Sequence, residues 1–281
     1  MPLPIPVRIA LHVNNCPVSG NSRSSNMLQL DDSQIHLWHV QQADFDTAEL
    51  AAQCLDWLTP AELTRYHRYY FDRHRKQFLL GRMLMRSVLT QYGEVTPQHW
   101  RFVENPYGKP SIDPSQRSQP LFFNLSHSAD RLVLAISRHE AIGVDIECSD
   151  KSRRVLKIAH RYFSTAEVNE LEALPHASQL ARFYELWTLK EAYIKACGLG
   201  LAIPLRQFSF GFVADSRITI SFAREREDAP QSWQFWQLQL NAPFALSVAV
   251  KCDRCEIHQL HSFELKGLQS FESVKTVILR N

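Results

Sequence analysis

Gly143-Val144-Asp145-Ile146-Glu147 alternates apolar and acidic residues, and this constrains the fold more than any other local feature of the chain. A strand turns successive side chains to opposite faces, so Asp145 and Glu147 share one face while Val144 and Ile146 share the other. Some forty residues later, Trp187-Thr188-Leu189-Lys190-Glu191-Ala192-Tyr193-Ile194-Lys195 reads as a helix. On it Trp187, Glu191 and Lys195 recur every four residues along one stripe. An apolar strand and a Trp-rich helix belong largely in the interior, where carboxylates without a cation are expensive. Three carboxylates and one ammonium on two rigid elements suit a hard divalent cation and a phosphate ester.

The 281 residues suffice for one large domain or two modest ones. An apolar fraction of 45% with 21% charged residues is ordinary for a soluble globular protein. No apolar run approaches the roughly 18 residues of a membrane span. Met-Pro-Leu-Pro-Ile-Pro-Val-Arg lacks the basic-then-apolar order of a secretory signal, so a cytoplasmic protein is expected. The six cysteines are scattered, unlike a disulfide framework. Cys252, Cys255, His258 and His261 recur at intervals of three, a spacing that rotates ligands apart on a helix and flips their faces on a strand. They read as a strand end running into a polar loop rather than a zinc site.

Along the chain, residues 14–26 read as a linker or loop and the folded part begins near Gln34. A helix is predicted from about Phe45 to Leu58. Thr59-Pro60-Ala61-Glu62 is a helix-start signature, and helical segments follow to Tyr92, with a break near Asp72 and a stop at Gly93. Arg65, Arg68, Arg73, Arg75, Lys76, Arg82 and Arg86 crowd this stretch, opposed by Glu62 and Asp72, and form either a solvated face or an anion platform. Asn105-Pro106-Tyr107-Gly108-Lys109-Pro110 is a turn. Leu132–Ser137 and Ile142–Ile146 are buried strands, Ser164-Thr165-Ala166-Glu167 opens a helix to about Leu174, and a long helix runs from about Gln179 to Cys197 before Gly198. Alternating runs around Phe208–Phe212, Ile218–Phe222, Trp233–Leu240 and Leu246–Val250 predict closing strands. Phe78 to Gly93 and Phe183 to Gly198 match in length and apolar spacing, which fits two related halves with Arg86 opposite Glu191.

Asp145 and Glu147 stand roughly 6.6 Å apart along a strand, within reach of one Mg²⁺ ion. Glu191 supplies a third oxygen or stays outside the coordination shell as a proton acceptor. Lys195 meets a phosphate oxygen as a point charge. Ser126 is a neutral donor and His127, when protonated, an anion contact. Against this stands a plain surface strand end beside an ordinary Glu191–Lys195 helix pair. A Mg²⁺-dependent nuclease or another phosphoryl-transfer enzyme uses similar groups, although nucleases of the restriction type usually carry Glu-x-Lys on a strand.

Gly108-Lys109-Pro110, Phe123-Asn124-Leu125-Ser126-His127-Ser128, the Gly143–Glu147 strand, and Trp187–Lys195 with Gly198-Leu199-Gly200-Leu201 occur in an order and spacing that resemble the surfactin-synthetase-type (Sfp-type) 4′-phosphopantetheinyl transferases. The resemblance spans roughly residues 34–250. It implies an α+β fold of two similar halves in pseudo-twofold arrangement, with the active site between them. It also implies transfer of phosphopantetheine from coenzyme A to a serine of an apo carrier protein, releasing adenosine 3′,5′-bisphosphate. On this resemblance Asp145, Glu147 and Glu191 hold Mg²⁺, Glu191 is also the general base, and Lys195 stabilises the breaking pyrophosphate. Lys109, Ser126 and His127 grip the adenosine end. Where the family carries an arginine and a small hydroxyl residue before Leu-Leu-Gly, this chain has Gln77 and Phe78, and Arg73, Lys76 or Arg82 stand as replacements.

The expected organisation is an N-terminal extension over 1–33, a nucleotide-side half over 34–140, a metal and catalytic half over 141–251 and a tail over 252–281. The expected partner is an acyl or peptidyl carrier of a fatty-acid, polyketide, polyunsaturated-lipid or peptide synthase. The working form is expected to be a monomer, without nucleic acid or membrane.

Overall fold

In a computed structural model, residues 27–150, 154–214, 216–240, 243–252, 257 and 259–281 are described. The loop read at 14–26, and Cys255 and His258 of the thiol–imidazole series, lie outside the described residues. Two runs of the chain repeat one plan. The first is β1 (Gln34–Gln41), α1 (Thr47–Cys54), α2 (Pro60–Arg68), α3 (Asp72–Leu89), the hairpin β2 (Phe102–Glu104) and β3 (Pro110–Ile112), then β4 (Phe122–Ser128) and β5 (Arg131–Ser137). The second is β6 (Ile142–Cys148), α4 (Val155–Tyr162), α5 (Thr165–Ala173), α6 (His176–Cys197), the hairpin β7 (Phe208–Val213) and β8 (Arg217–Phe222), then β9 (Trp233–Gln239) and β10 (Phe244–Lys251). Strand order repeats too: β1-β5-β4 in one sheet answers β6-β10-β9 in the other. The chain is therefore an α+β fold of two like halves.

Local chemistry accounts for the repeat. Thr59 and Ser164 each accept a hydrogen bond from the N3 amide, while Glu62 and Glu167 accept one from the cap residue's own amide, so α2 and α5 open on the same capping box. α1 begins at Thr47, two residues later than the sequence suggests, because the Asp46 carboxylate takes the amides of Ala48 and Glu49. α6 ends at Gly198, whose φ of +71° provides a left-handed cap.

Alternation assigns each strand face to a layer. Trp38, Val40, Leu132, Leu134 and Ile136 join α3 residues in one core, whereas Ile35, Leu37, Val133 and Ala135 meet Val144, Ile146, Leu246 and Val248 between the two sheets. A third core lies between the second sheet and α4–α6. The layers thus run helices, sheet, sheet, helices.

The segment after Lys251, set apart by the sequence reading as a tail, contributes β11 (Gln259–Leu265) and β12 (Phe271–Val274) to the first sheet and β13 (Ile278–Arg280) to the second. β11 runs parallel to β1, pairing Gln34 with Gln259, and β13 pairs with β9. These strands cover edges that would otherwise present unpaired amides and carbonyls.

One glycine decides how closely α6 can approach β6. A Cβ built on Gly143 would lie 2.0 Å from the Ala192 carbonyl oxygen and 2.5 Å from the Ala196 amide nitrogen. Gly143→Ala is therefore expected to push α6 outward, at a cost of about 1–3 kcal/mol for overpacking. Urea unfolding measures this loss, and an unchanged midpoint would contradict so tight a contact.

Candidate active site

Asp145 and Glu147 project from β6 toward α6, as the alternation requires, and Gly143 on the same face lets the helix close over them. Asp145 is 4% exposed. The Lys195 ammonium, one turn beyond Glu191, lies 2.6 Å from Asp145 Oδ1, 2.8 Å from Ser126 Oγ and 3.3 Å from the Val144 carbonyl. The two elements singled out from sequence are thus brought together.

The outer edge of β6 is completed by side chains rather than by a backbone ladder. The amides of Val144, Ile146 and Cys148 donate to Asn124 Oδ1, Ser126 Oγ and Ser128 Oγ on β4 at 2.9, 3.3 and 3.0 Å. The two serines also donate outward: Ser126 to Asp145 Oδ1 and Ser128 to Glu147 Oε2, each at 3.0 Å. In the free protein Ser126, read from sequence as a contact for the adenosine end, turns its hydroxyl to partners on β6 and α6. Its hydroxyl offers one proton and two lone pairs, and Asp145, the Ile146 amide and Lys195 already use them.

Burial and charge shape the titration of this group. Burial raises the Asp145 carboxyl above its ordinary pKa despite the attraction of Lys195. Glu191 is pushed up to about 7 by burial first and then by repulsion from Asp145, with Glu147 adding to it, against the pull of Lys195. His127 presents an exposed ring on the face of β4 that carries Phe123 and Leu125. Surrounding protein, and to a lesser degree Lys195, holds its pKa below the ordinary value, against the opposing pull of Glu147. The surroundings thus disfavour the protonated form on which an anion contact from His127 depends.

Other predicted residues lie apart from this cluster. Lys109 turns inward, its Nζ donating to the carbonyls of Ala196, Ile142 and Glu140 at 3.0, 3.3 and 3.5 Å. Burial lowers its pKa to about 8. In the same turn Asn105 Nδ2 donates to the Gly198 carbonyl at 2.6 Å, so the turn clasps the C-terminal end of α6. A cleft of about 600 Å³ opens there, lined by Lys109, Phe122, Cys197, Arg226 and Lys251, and Asp145, Glu147 and Glu191 are not among its lining residues. Arg73 is exposed, with its guanidinium over Phe71, and Lys76 is half-buried. Neither makes a described contact with Asp145, Glu147 or Glu191. The basic run is not one platform: Arg82 and Arg86 point inward to Glu62, and Arg75 pairs with Asp72. Arg86, the sequence counterpart of Glu191, is fully buried in that pair.

Among the described residues, no three Asp, Glu, His or Cys side chains converge closely enough to grip a metal ion. The chemistry of the set nevertheless fits a hard divalent cation. Asp145 Oδ2 is buried with no hydrogen-bond partner, and three carboxylates repel one another beside it. Magnesium takes such oxygen donors and is commonly held by one or two carboxylates plus substrate phosphate.

Sequence reasoning passed over Ser128 and Lys190. Ser128 shares the period-two pattern of Asn124 and Ser126, a signal present in the chain whose partner strand could not be known. Lys190 is fully buried, 2.8 Å from Glu167 Oε2 and bonded to the carbonyls of Leu205 and Phe208.

Comparison with known proteins agrees with the geometry. Residues 141–249 match the model of the 4′-phosphopantetheinyl transferase superfamily, and residues 37–139 match a 4′-phosphopantetheinyl transferase N-terminal model. The chain is 35% identical to the 4′-phosphopantetheinyl transferase HetI of Nostoc over 63% of its own length and 73% of that protein's. It is 34% identical to the 4′-phosphopantetheinyl transferase Sfp of Bacillus subtilis, over 59% of this chain and 71% of the relative. A Xenopus laevis L-aminoadipate-semialdehyde dehydrogenase-phosphopantetheinyl transferase is 28% identical across 76% of this chain and 72% of its own. With both halves matched in order and the carboxylate–lysine cluster formed where they meet, the chain belongs to the 4′-phosphopantetheinyl transferase superfamily.

Proposed function

We propose that the chain transfers the 4′-phosphopantetheine group of coenzyme A to a serine hydroxyl of an apo acyl or peptidyl carrier protein. The observation that carries this reading is the junction of β4, β6 and α6, where Asp145, Glu147, Glu191 and Lys195 meet and one buried carboxylate oxygen has no partner. The family match names the substrate, and the nuclease alternative is not favoured: Glu191 and Lys195 sit on a helix and both halves match transferase models.

In the proposed reaction the carrier serine oxygen bonds to the phosphorus that bears pantetheine, the pyrophosphate P–O bond breaks, and adenosine 3′,5′-bisphosphate departs. Asp145 and Glu147, with Glu191, would hold Mg²⁺, which when bound offsets negative charge on the pyrophosphate. Glu191 accepts the serine proton, since a carboxyl titrating near neutrality suits a general base. Lys195 exchanges its contact with Asp145 for a phosphate oxygen and stabilises charge on the leaving group. His127 on β4, Arg73 and Lys76 at the start of α3, and Lys109, which lines the cleft beyond α6, would serve the nucleotide end. Residues 34–140 and 141–251 act as nucleotide-side and metal-side halves. One copy suffices because one chain supplies both. Among the described residues, no helix is long and apolar enough to cross a membrane, and use of coenzyme A favours a cytoplasmic setting.

Incubation with coenzyme A, Mg²⁺ and an apo carrier tests the reading. Intact-mass spectrometry should show one phosphopantetheine added to the carrier. No mass gain on any of several acyl and peptidyl carriers would sink it.

A further inference from the structure

The side chains on β4 do two jobs at once. Three residues at a spacing of two, Asn124, Ser126 and Ser128, take the amides of β6 that a neighbouring strand would normally bond, and they bridge from one half of the molecule to the other. The serines then direct their own protons onto the two β6 carboxylates. Each hydroxyl is thereby fixed as amide acceptor and carboxylate donor, so its orientation follows from the register between the halves. Asp145 has a second tether in Lys195, but for Glu147 the only described hydrogen bond is that from Ser128.

The geometry points to Ser128 as a positioning residue for Glu147, one that sets divalent-cation affinity from the opposite half of the fold. This inference rests on the proposed metal role of Asp145, Glu147 and Glu191, and adds that Glu147 is set from β4, in the half that does not carry the ligands. Groups that hydrogen-bond metal-ligating side chains typically contribute 10–100-fold to metal affinity. Ser128 is half-buried on a strand, where threonine is a favoured residue and keeps the hydroxyl that alanine removes.

The test titrates Mn²⁺ into the protein and follows loss of the free-ion signal by electron paramagnetic resonance, Mn²⁺ being a hard, oxygen-seeking substitute for Mg²⁺. Ser128→Ala is expected to weaken binding about 10–100-fold, and Ser128→Thr to stay within a few-fold of the parent. Amide hydrogen exchange in EDTA is read in parallel. In the alanine variant the Cys148 amide should exchange faster, while the Val144 amide, held by Asn124, stays protected. If the wild type binds Mn²⁺ and Ser128→Ala binds it equally well while folded, the positioning role is overturned and the metal assignment survives. If the wild type binds no Mn²⁺, the metal assignment falls and this inference falls with it. If Ser128→Thr is as weak as Ser128→Ala, the hydroxyl is not the operative group and the inference is likewise overturned.

Discussion

Glu191→Gln is expected to lower phosphopantetheine transfer about 10²–10⁴-fold, the usual contribution of a positioned general base. Glutamine keeps the volume and one oxygen but cannot accept the serine proton. Coenzyme A binding, measured by calorimetry, should survive in part because the nucleotide end does not depend on this residue. Transfer by the unsubstituted protein should rise with pH and level off above about 7, where Glu191 is ionised in the free protein. Stability moves the other way. Glu191 holds its proton more tightly folded than unfolded, where its ordinary value is 4.5, so its contribution is full below about 4.5 and is lost as pH rises through about 7. In EDTA, Glu191→Gln should therefore melt higher than wild type at pH 8 and equal to it at pH 4. Unchanged turnover would remove Glu191 from the mechanism, and equal melting at pH 8 would remove its burial penalty.

Lys190→Met is expected to destabilise the fold by about 3–5 kcal/mol, the cost of breaking a buried ion pair by deleting one partner. Glu167, 1% exposed, would lose its ammonium partner, and the Leu205 and Phe208 carbonyls would lose their donor. Glu167 also accepts the amides of Ser164 and Phe210 at 2.9 Å each. It therefore ties α5 to β7, and Lys190 anchors α6 to both. Adding Glu167→Leu should return only part of the loss, since those amides would then be stranded. Urea unfolding resolves the difference, and a loss below about 1 kcal/mol would show that the pair is solvated.

Local periodicity carried much of the fold. The capping residues Thr59 and Ser164, the terminator Gly198 and the alternation of β6 act within a few residues, so they could be read directly. The carboxylate–lysine cluster was legible for the same reason: strand period and helix period each place their acids on one face. What could not be read depends on partners distant in sequence. Nothing near Ser126 reveals that its hydroxyl meets β6, and nothing near Lys109 reveals the carbonyls of Ala196 and Ile142. Lys190 and Glu191 look alike as charged neighbours, yet about 100° of helical rotation sends one into the core and the other to the site. The strands after residue 257 were missed because their role is to cover edges created by other strands.

The pairing of β1 with β11 bears on how the protein is made. Gln34 meets Gln259 across 225 positions of chain, in a parallel register that no local hairpin can nucleate. The first sheet cannot take its final width until β11 and, beyond it, β12 up to Val274 have left the ribosome, although β1 is synthesised early. Until then the unmated rim of β1 is open to pairing with other chains, and contacts of such long range fold slowly. Maturation in the cell should accordingly depend on the strand made late in translation.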